Sequence, residues 1–511
     1  MPLHNVARFI DLREDRATRV DIGALKLVLL RAGDRVYAYQ AECPHAQAPL
    51  EEGAICNGRL ICPWHKATFA IEDGRLCEPP ALSGLTRYRA EVVDGDVQVD
   101  DQPLAPTQAP RPPDSRCFVI IGAGAAGTAA TATLREKGFA GRLVLIDREA
   151  QPGYDRTVLS KFVLDGEMPP EETPPLLDES FYSEQKIERV EGEVIRLDVL
   201  AKRVSLADGR TFDYDAALLA TGGEPRPLPV HGAHLHNILT LRCREDAERI
   251  LEAAKPGARV VIIGGGFIGL ESAAALRRLG LDVSVVARHA TPLGKQFGER
   301  IGRAILALHE DHGVVFHSNT QPKAFEGQDK VEAVVLENGE RLPADLVLIG
   351  IGVSPVTELL EGIELNDDGG LPVNAEMSAA PGLWAAGDIA AFALHGVPTR
   401  IEHWRLAQQQ ARIAAQNMLG AELHDAAVPF FWTYHFDKTF ELLGHADQWE
   451  RIVFEGNPEQ YAFIALMCKG EQVEAVMACE YARPMAYLAE RMKQPLQREE
   501  ALQIIRQQAL P

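Results

Sequence analysis

The stretch 117–147, CFVIIGAGAAGTAATATLREKGFAGRLVLID, reads as a buried apolar strand, a glycine-rich turn, a helix and a second apolar strand ending in an acid. Gly122, Gly124 and Gly127 fit the pattern G-x-G-x-x-G, and Asp147 lies twenty residues past the last of them. Such a turn brings backbone N–H groups and a helix N-terminus against a pyrophosphate, while the acid bonds a ribose hydroxyl. Glu149, two residues further on, rivals Asp147 for that last task. A lone glycine motif would carry little weight, but here strand, helix and acid all stand where a dinucleotide unit needs them.

The pattern recurs about 140 residues later. Residues 258–288, ARVVIIGGGFIGLESAAALRRLGLDVSVVAR, repeat strand, turn, helix and strand, with Gly264, Gly266 and Gly269 in the turn. Two such units imply two dinucleotides, and FAD with a nicotinamide is the usual chemical reason. Two further apolar strands run into glycine turns: LLATGG at 218–223, with Thr221 and Gly222, and GLWAAGDIA at 382–390, with Gly387 and Asp388.

Upstream, residues 41–71 read AECPHAQAPLEEGAICNGRLICPWHKATFAI. Cys43 and His45 are followed after sixteen residues by Cys62 and His65. Two thiolates and two imidazoles could hold tetrahedral zinc. Zinc fingers, however, group Cys with Cys and His with His, whereas each half here supplies one of each. That alternation suits a [2Fe–2S] centre in which one iron takes both thiolates and the other both imidazoles. Around these motifs, residues 1–101 alternate apolar and polar residues in short runs between turn signals, the mark of a small all-β module. A segment with five prolines from Pro103 to Pro113 then makes a semi-rigid spacer of about 3 Å per residue.

At 511 residues the chain is too long for a single core. A net charge of −21 argues against nucleic acid or an anionic membrane as partner. No apolar run reaches the length of a membrane span, and no signal peptide pattern opens the chain, so a cytoplasmic protein is expected. Of eight cysteines, the six outside the motif show no metal or C-x-x-C spacing and read as free thiols of a reducing compartment. No cysteine falls between Cys117 and Cys243, so the dithiol pair of disulfide reductases is missing.

With these residues in view, the chain resembles the two-dinucleotide flavoprotein reductases, most of all the apoptosis-inducing-factor-like oxidoreductases with an N-terminal Rieske domain. The oxygenase-coupled ferredoxin reductases share the likeness from about residue 116. Its most specific stretches are YDRTVLSK (154–161), AAGDIA (385–390) and IEHWRLAQQQAR (401–412). The resemblance implies a multidomain fold: a Rieske domain at 1–101, the linker at 102–115, an FAD-binding domain at 116–245 and 371–428, a NAD(P)-binding domain at 246–370, and an α+β domain at 429–511. It places Arg156 and Lys161 beside the flavin, where a cation stabilises the anionic reduced ring. It points Glu271 at the nicotinamide, although an acid in a first helical turn is favoured by the helix dipole in any case. His403 and Trp404 would touch the flavin, and Trp432 would cover the ring or mark the electron exit. High-potential Rieske centres add a disulfide and hydroxyl donors near the ligands. The matching positions here are Gln47 or nearby, Trp64, Ala67 and Phe69, so a low potential is expected. Lys66 replaces the glycine usual after the second histidine.

The function implied is that of a NAD(P)H-dependent ferredoxin-reductase-type enzyme. Electrons would pass from nicotinamide to FAD to the [2Fe–2S] cluster and on to a protein acceptor, such as an oxygenase, with the chain a monomer or homodimer. The alternative is a redox-sensing interaction flavoprotein. A lean to NADPH rests on Ala287 and Arg288. An acid that would repel a 2′-phosphate is absent there, and an arginine able to pair with the phosphate is present.

Overall fold

The computed structural model of the chain describes residues 3–105, 111–394, 396–424 and 427–508; the middle of the proline-rich spacer, 106–110, lies outside them. The apolar strand Cys117–Ile121 cannot hide its Phe118, Val119, Ile120 and Ile121 on one face, and all four are buried. A parallel sheet covered on both sides is the fold that such a strand demands. Cys117–Ile121 sits in the interior of a six-stranded sheet, between Arg142–Asp147 and Ala216–Leu219, with which it pairs in parallel. Leu383–Ala385, far along the chain, joins the same sheet beside Ala216–Leu219. The chain therefore leaves this unit, builds another and returns to it.

The unit in between repeats the logic. Arg259–Ile263 is central to a five-stranded parallel sheet, flanked by Leu346–Ile349 and Asp282–Ala287. In the first unit the helix Ala125–Glu136 is rich in Ala and Thr, and it packs closely on the helix Trp404–Met418. Small side chains permit that approach, and Arg412 of the second helix bonds Thr133 and Glu136 of the first at 3.2 and 3.1 Å.

The N-terminal lobe is all β. A six-stranded antiparallel sheet includes Leu25–Ala32 and Arg35–Gln40, and a four-stranded sheet runs from Ala54–Cys56 to Leu76–Glu78. The last strand, Asp96–Pro103, continues two residues past the expected edge of the lobe at 101, because Pro103 still pairs with Tyr88 after a register shift. The C-terminal lobe is a five-stranded antiparallel sheet followed by two helices, Ala482–Arg491 and Arg498–Gln508. Pro495 lies in the break between the two. No helix among the described residues is long and apolar enough to cross a membrane.

The N-terminal lobe does not stand off on its spacer. Arg405, at the start of the helix Trp404–Met418, donates to the carbonyls of Pro79 and Lys66 at 2.8 and 3.1 Å. Gln409, one turn on, bonds Glu78 at 2.7 Å. A small apolar cluster of Ala54, Ile61 and Ala486 joins this lobe to the C-terminal one.

Candidate functional site

Both glycine turns open on one cleft of about 730 Å³. In the first turn the glycines divide the work. Gly122 has φ +102° and its would-be Cβ meets the Ala220 carbonyl at 2.3 Å, so the turn requires glycine. A Cβ on Gly127 would meet the Gly122 carbonyl, which fixes how closely the helix packs on the turn. A Cβ on Gly124 would meet nothing within 4 Å, because that face is turned to the cleft. Gly264, Gly269 and Gly266 repeat these three roles in the second turn.

Of the residues expected around the dinucleotides, Gly127, Gly264, Gly269 and Arg288 do not line the cleft, and the others do. The three glycines stand behind the turns. Arg288 follows the strand Asp282–Ala287 into solvent, where its Nη2 donates to Gln321 Oε1 at 2.7 Å. Asp147 gives its carboxylate to backbone N–H groups, those of Ala123 and, at 2.8 Å, Glu149. Glu149 pairs with Arg156 and accepts from Tyr154 at 3.0 Å. Both acids thus reach the cleft, Asp147 as a brace of the glycine turn and Glu149 as the partner of the half-buried Arg156. Asp388 receives Arg242 at 3.0 Å, and the Gly387 N–H is held by Gln410 at 2.9 Å.

Lys161 is carried on a single π-helical turn, Leu159–Val163, a distortion that often marks functional positions. Its Nζ lies 3.0 Å from Glu271 Oε2 and donates to the Thr157 carbonyl at 2.8 Å. The other oxygen of Glu271 accepts from Thr433 at 2.7 Å. Thr433 in turn meets His435, whose Nδ1 lies 3.1 Å from Nε2 of His309. Burial pushes the pKa of His435 down to about 3 and that of His403 to about 4, so both are neutral near pH 7. Nδ1 of His403 and Nε1 of Trp404 are buried at the cleft with no protein partner, free for polar atoms of a bound group. Two glycine turns, an open glycine face and these unpaired ring nitrogens fit a bound dinucleotide.

The four sulfur and nitrogen side chains do not line the cleft themselves; His65 meets its wall at Trp432. The Cys62–His65 loop connects the strands Arg59–Ile61 and Thr68–Ala70. Nδ1 of His45 and Nδ1 of His65 face each other at 3.1 Å. The neighbouring Cys62 thiol and burial push the Cys43 thiol up, so the two sulfurs share one site that a cationic centre would hold as thiolates. Burial pushes both imidazoles down, toward the neutral form that binds metal. The two thiols neighbour each other and the two imidazoles face each other. Such pairing suits two irons better than one zinc.

Two residues join this centre to the cleft. The ring of His65 lies against that of Trp432, with centroids 4.2 Å apart, and Trp432 also lines the cleft. Asp155, which caps the turn leading to Lys161, points a carboxylate at Nε2 of His45, 3.9 Å away. Asp155, Thr433, His435, His309 and Glu441 went unnoticed in the sequence. Asp155 had a usable signal, since it stands inside the distinctive YDRTVLSK.

Glycine turns on both sides of one cleft, with a paired Cys and His centre against its edge, define a flavin- and nicotinamide-dependent oxidoreductase that carries an iron–sulfur lobe. Residues 117–411 match the family model of pyridine nucleotide-disulphide oxidoreductases, and residues 3–89 that of the Rieske [2Fe-2S] domain. The chain belongs to the pyridine nucleotide-disulphide oxidoreductase family, with a Rieske domain fused at its N-terminal end, and the centre is [2Fe–2S] rather than zinc. Apoptosis-inducing factor 3 of Homo sapiens is 34% identical over 501 residues, 94% of this chain and 82% of its own length. The biphenyl dioxygenase system ferredoxin–NAD(+) reductase component of Paraburkholderia xenovorans (strain LB400) is 36% identical over 353 residues, 68% of this chain and 86% of its own. Among solved structures, the covalent putidaredoxin reductase–putidaredoxin complex aligns with a TM-score of 0.72 at 31% identity, covering 78% of this chain and 100% of that one.

Proposed function

We propose that the chain is a NAD(P)H-dependent reductase in which electrons pass from the nicotinamide through FAD to the fused cluster, and from there to an external protein acceptor. The observation that carries this reading is the contact of His65 with Trp432, which puts a cluster ligand against the wall of the dinucleotide cleft. When bound, FAD takes up a hydride and releases electrons singly, and a [2Fe–2S] centre carries them one at a time. Overall, one NAD(P)H reduces two one-electron acceptors and frees one proton.

The chain's own residues then have these roles. Gly122, Gly124 and Gly266 admit the pyrophosphates, and Asp147 or Glu149 holds the adenosine ribose of FAD. Asp388 takes the ribityl or phosphate portion. Lys161 stabilises negative charge on the reduced ring, and Glu271 holds Lys161 in place and faces the nicotinamide. Cys43, His45, Cys62 and His65 hold the cluster, whose potential lies low in the Rieske range because no hydroxyl donor stands at Ala67 or Phe69. Arg288, exposed at a strand end with no acid beside it, favours NADPH. The six cysteines other than Cys43 and Cys62 form no disulfide, in keeping with a reducing cytoplasmic setting. The likeness to ferredoxin reductases supports an oxygenase component or a carrier as the acceptor.

Rapid mixing of the oxygen-free holoprotein with NADH or NADPH tests the reading. Bleaching of the flavin followed within the same turnover by reduction of the cluster supports it. A reduced flavin persisting beside an oxidised cluster supports a redox sensor instead.

A further inference from the structure

We propose that Lys66 is a positioning residue that acts through Glu441 to fix how His65 meets Trp432, so that the Rieske lobe is a fixed internal partner of the cleft and not a swinging one. The inference rests on the functional reading above. It begins with a register. Trp432 and Glu441 are directly opposite each other in the antiparallel pair Phe430–His435 and Lys438–Gly444. Directly opposed residues project from the same face of a sheet. His65 and Lys66 are consecutive in the ligand loop. His65 takes Trp432 with ring centroids 4.2 Å apart, and Lys66 takes Glu441, with Nζ 2.6 Å from Oε1. Two neighbours on one lobe thus engage two paired neighbours on the other. A single contact would leave the lobe free to pivot, whereas two fix its angle as well as its distance.

The chemistry of Lys66 points the same way. Its φ of +61° is left-handed, a conformation that strains a side-chain-bearing residue and that glycine adopts freely. Rieske loops usually place glycine here, so the lysine needs some other advantage. Its ammonium is 0% exposed and is surrounded by acceptors: Glu441, the carbonyls of Pro63 and, at 3.3 Å, Trp64 in its own loop, and the carbonyl of Ala482 at 3.4 Å. One cation therefore ties the ligand loop to the strand bearing Glu441 and to the start of the helix Ala482–Arg491. A buried ion pair adds little net stability, but loss of either partner strands the other charge, which makes it a device for holding one arrangement against others. Any undocked position of the lobe breaks the pair.

The test uses the full chain loaded with FAD and cluster, as wild type, Lys66→Met and Glu441→Gln. After mixing with NADH or NADPH, the rate of cluster reduction is followed alongside the rate of flavin reduction, cluster potential, iron content and the electron paramagnetic resonance signal. Cluster reduction is expected to slow at least tenfold in both variants, by more than any change in potential explains, with flavin reduction within twofold of wild type. Glu441 lies on the other lobe, so Glu441→Gln decides the matter even if Lys66→Met disturbs the ligand loop. Wild-type rates in Glu441→Gln would overturn the proposal, as would a slowing fully accounted for by a lower potential. If the wild-type cluster stays oxidised with either nicotinamide, the functional reading itself fails, and this proposal with it.

Discussion

Lys161 and Glu271 lie 110 residues apart in the chain, yet their charged ends are 3.0 Å apart in the wall of the cleft, both buried. Thr157, Ser160 and Thr433 supply further hydrogen bonds to the pair. A pair so enclosed holds one cation at one place in the wall of the cleft.

Lys161→Ala is therefore expected to slow hydride transfer tenfold or more, equivalent to about 1.4 kcal/mol in the barrier, while FAD remains bound. The variant also strands Glu271, a loss of roughly 3 kcal/mol in stability that a thermal melt detects. Single-turnover flavin reduction measures the first effect, and a rate equal to wild type removes Lys161 from the site.

Trp432→Phe keeps an aromatic ring in the strand but shortens its reach toward His65. We expect slower cluster reduction with an unchanged rate of flavin bleaching. Should both rates fall together, Trp432 serves the flavin and not the passage of electrons.

Cys43→Ser and His65→Ala are each expected to lose iron and the Rieske absorption while FAD stays bound, because the lobe's own apolar core, around Leu30, Tyr39 and Leu50, is separate from the cores of the dinucleotide units. Iron, acid-labile sulfide and flavin are assayed on the same samples. Wild-type protein carrying zinc and no sulfide contradicts the cluster.

Comparing kcat/KM for NADPH and NADH in wild type and Arg288→Ala checks the cofactor preference. Loss of the arginine is expected to lower the value for NADPH several-fold and leave that for NADH nearly unchanged. A strong wild-type preference for NADH, untouched by the substitution, refutes the role.

The buried histidines give stability a pH dependence of known sign. His435 and His403 stay neutral in the folded chain down to about pH 3 and about pH 4, whereas unfolded histidine takes a proton near 6.5. In that window the unfolded state binds more protons, so stability falls as pH drops from about 6.5 toward 3. His435→Gln, which retains a hydrogen bond to Thr433 but cannot titrate, is expected to lose less in melting temperature between pH 7.5 and 5 than wild type. Parallel curves for the two proteins would show that His435 does not contribute.

The elements that the chain states locally were legible without a structure. A glycine turn depends on residues two to five apart, so the spacing of Gly122, Gly124 and Gly127 suffices to specify it. The alternation of Cys43, His45, Cys62 and His65 likewise names its own chemistry, and buried strands such as Cys117–Ile121 announce a parallel sheet by their unbroken apolar character. Other features arise only when separately encoded elements dock. Lys66 looked like a departure from the family until the fold brought Glu441 to it across 375 residues. Asp155 beside His45, and the run from Glu271 through Thr433 to His435 and His309, have the same origin. No period or spacing encodes them, because burial and ion pairing between lobes depend on where surfaces meet in space. The sequence by itself pointed to two dinucleotides and an iron–sulfur centre. The tertiary structure alone decided that His65 of the Cys and His centre rests against the cleft at Trp432, since that contact exists only once the Rieske lobe packs on the C-terminal sheet.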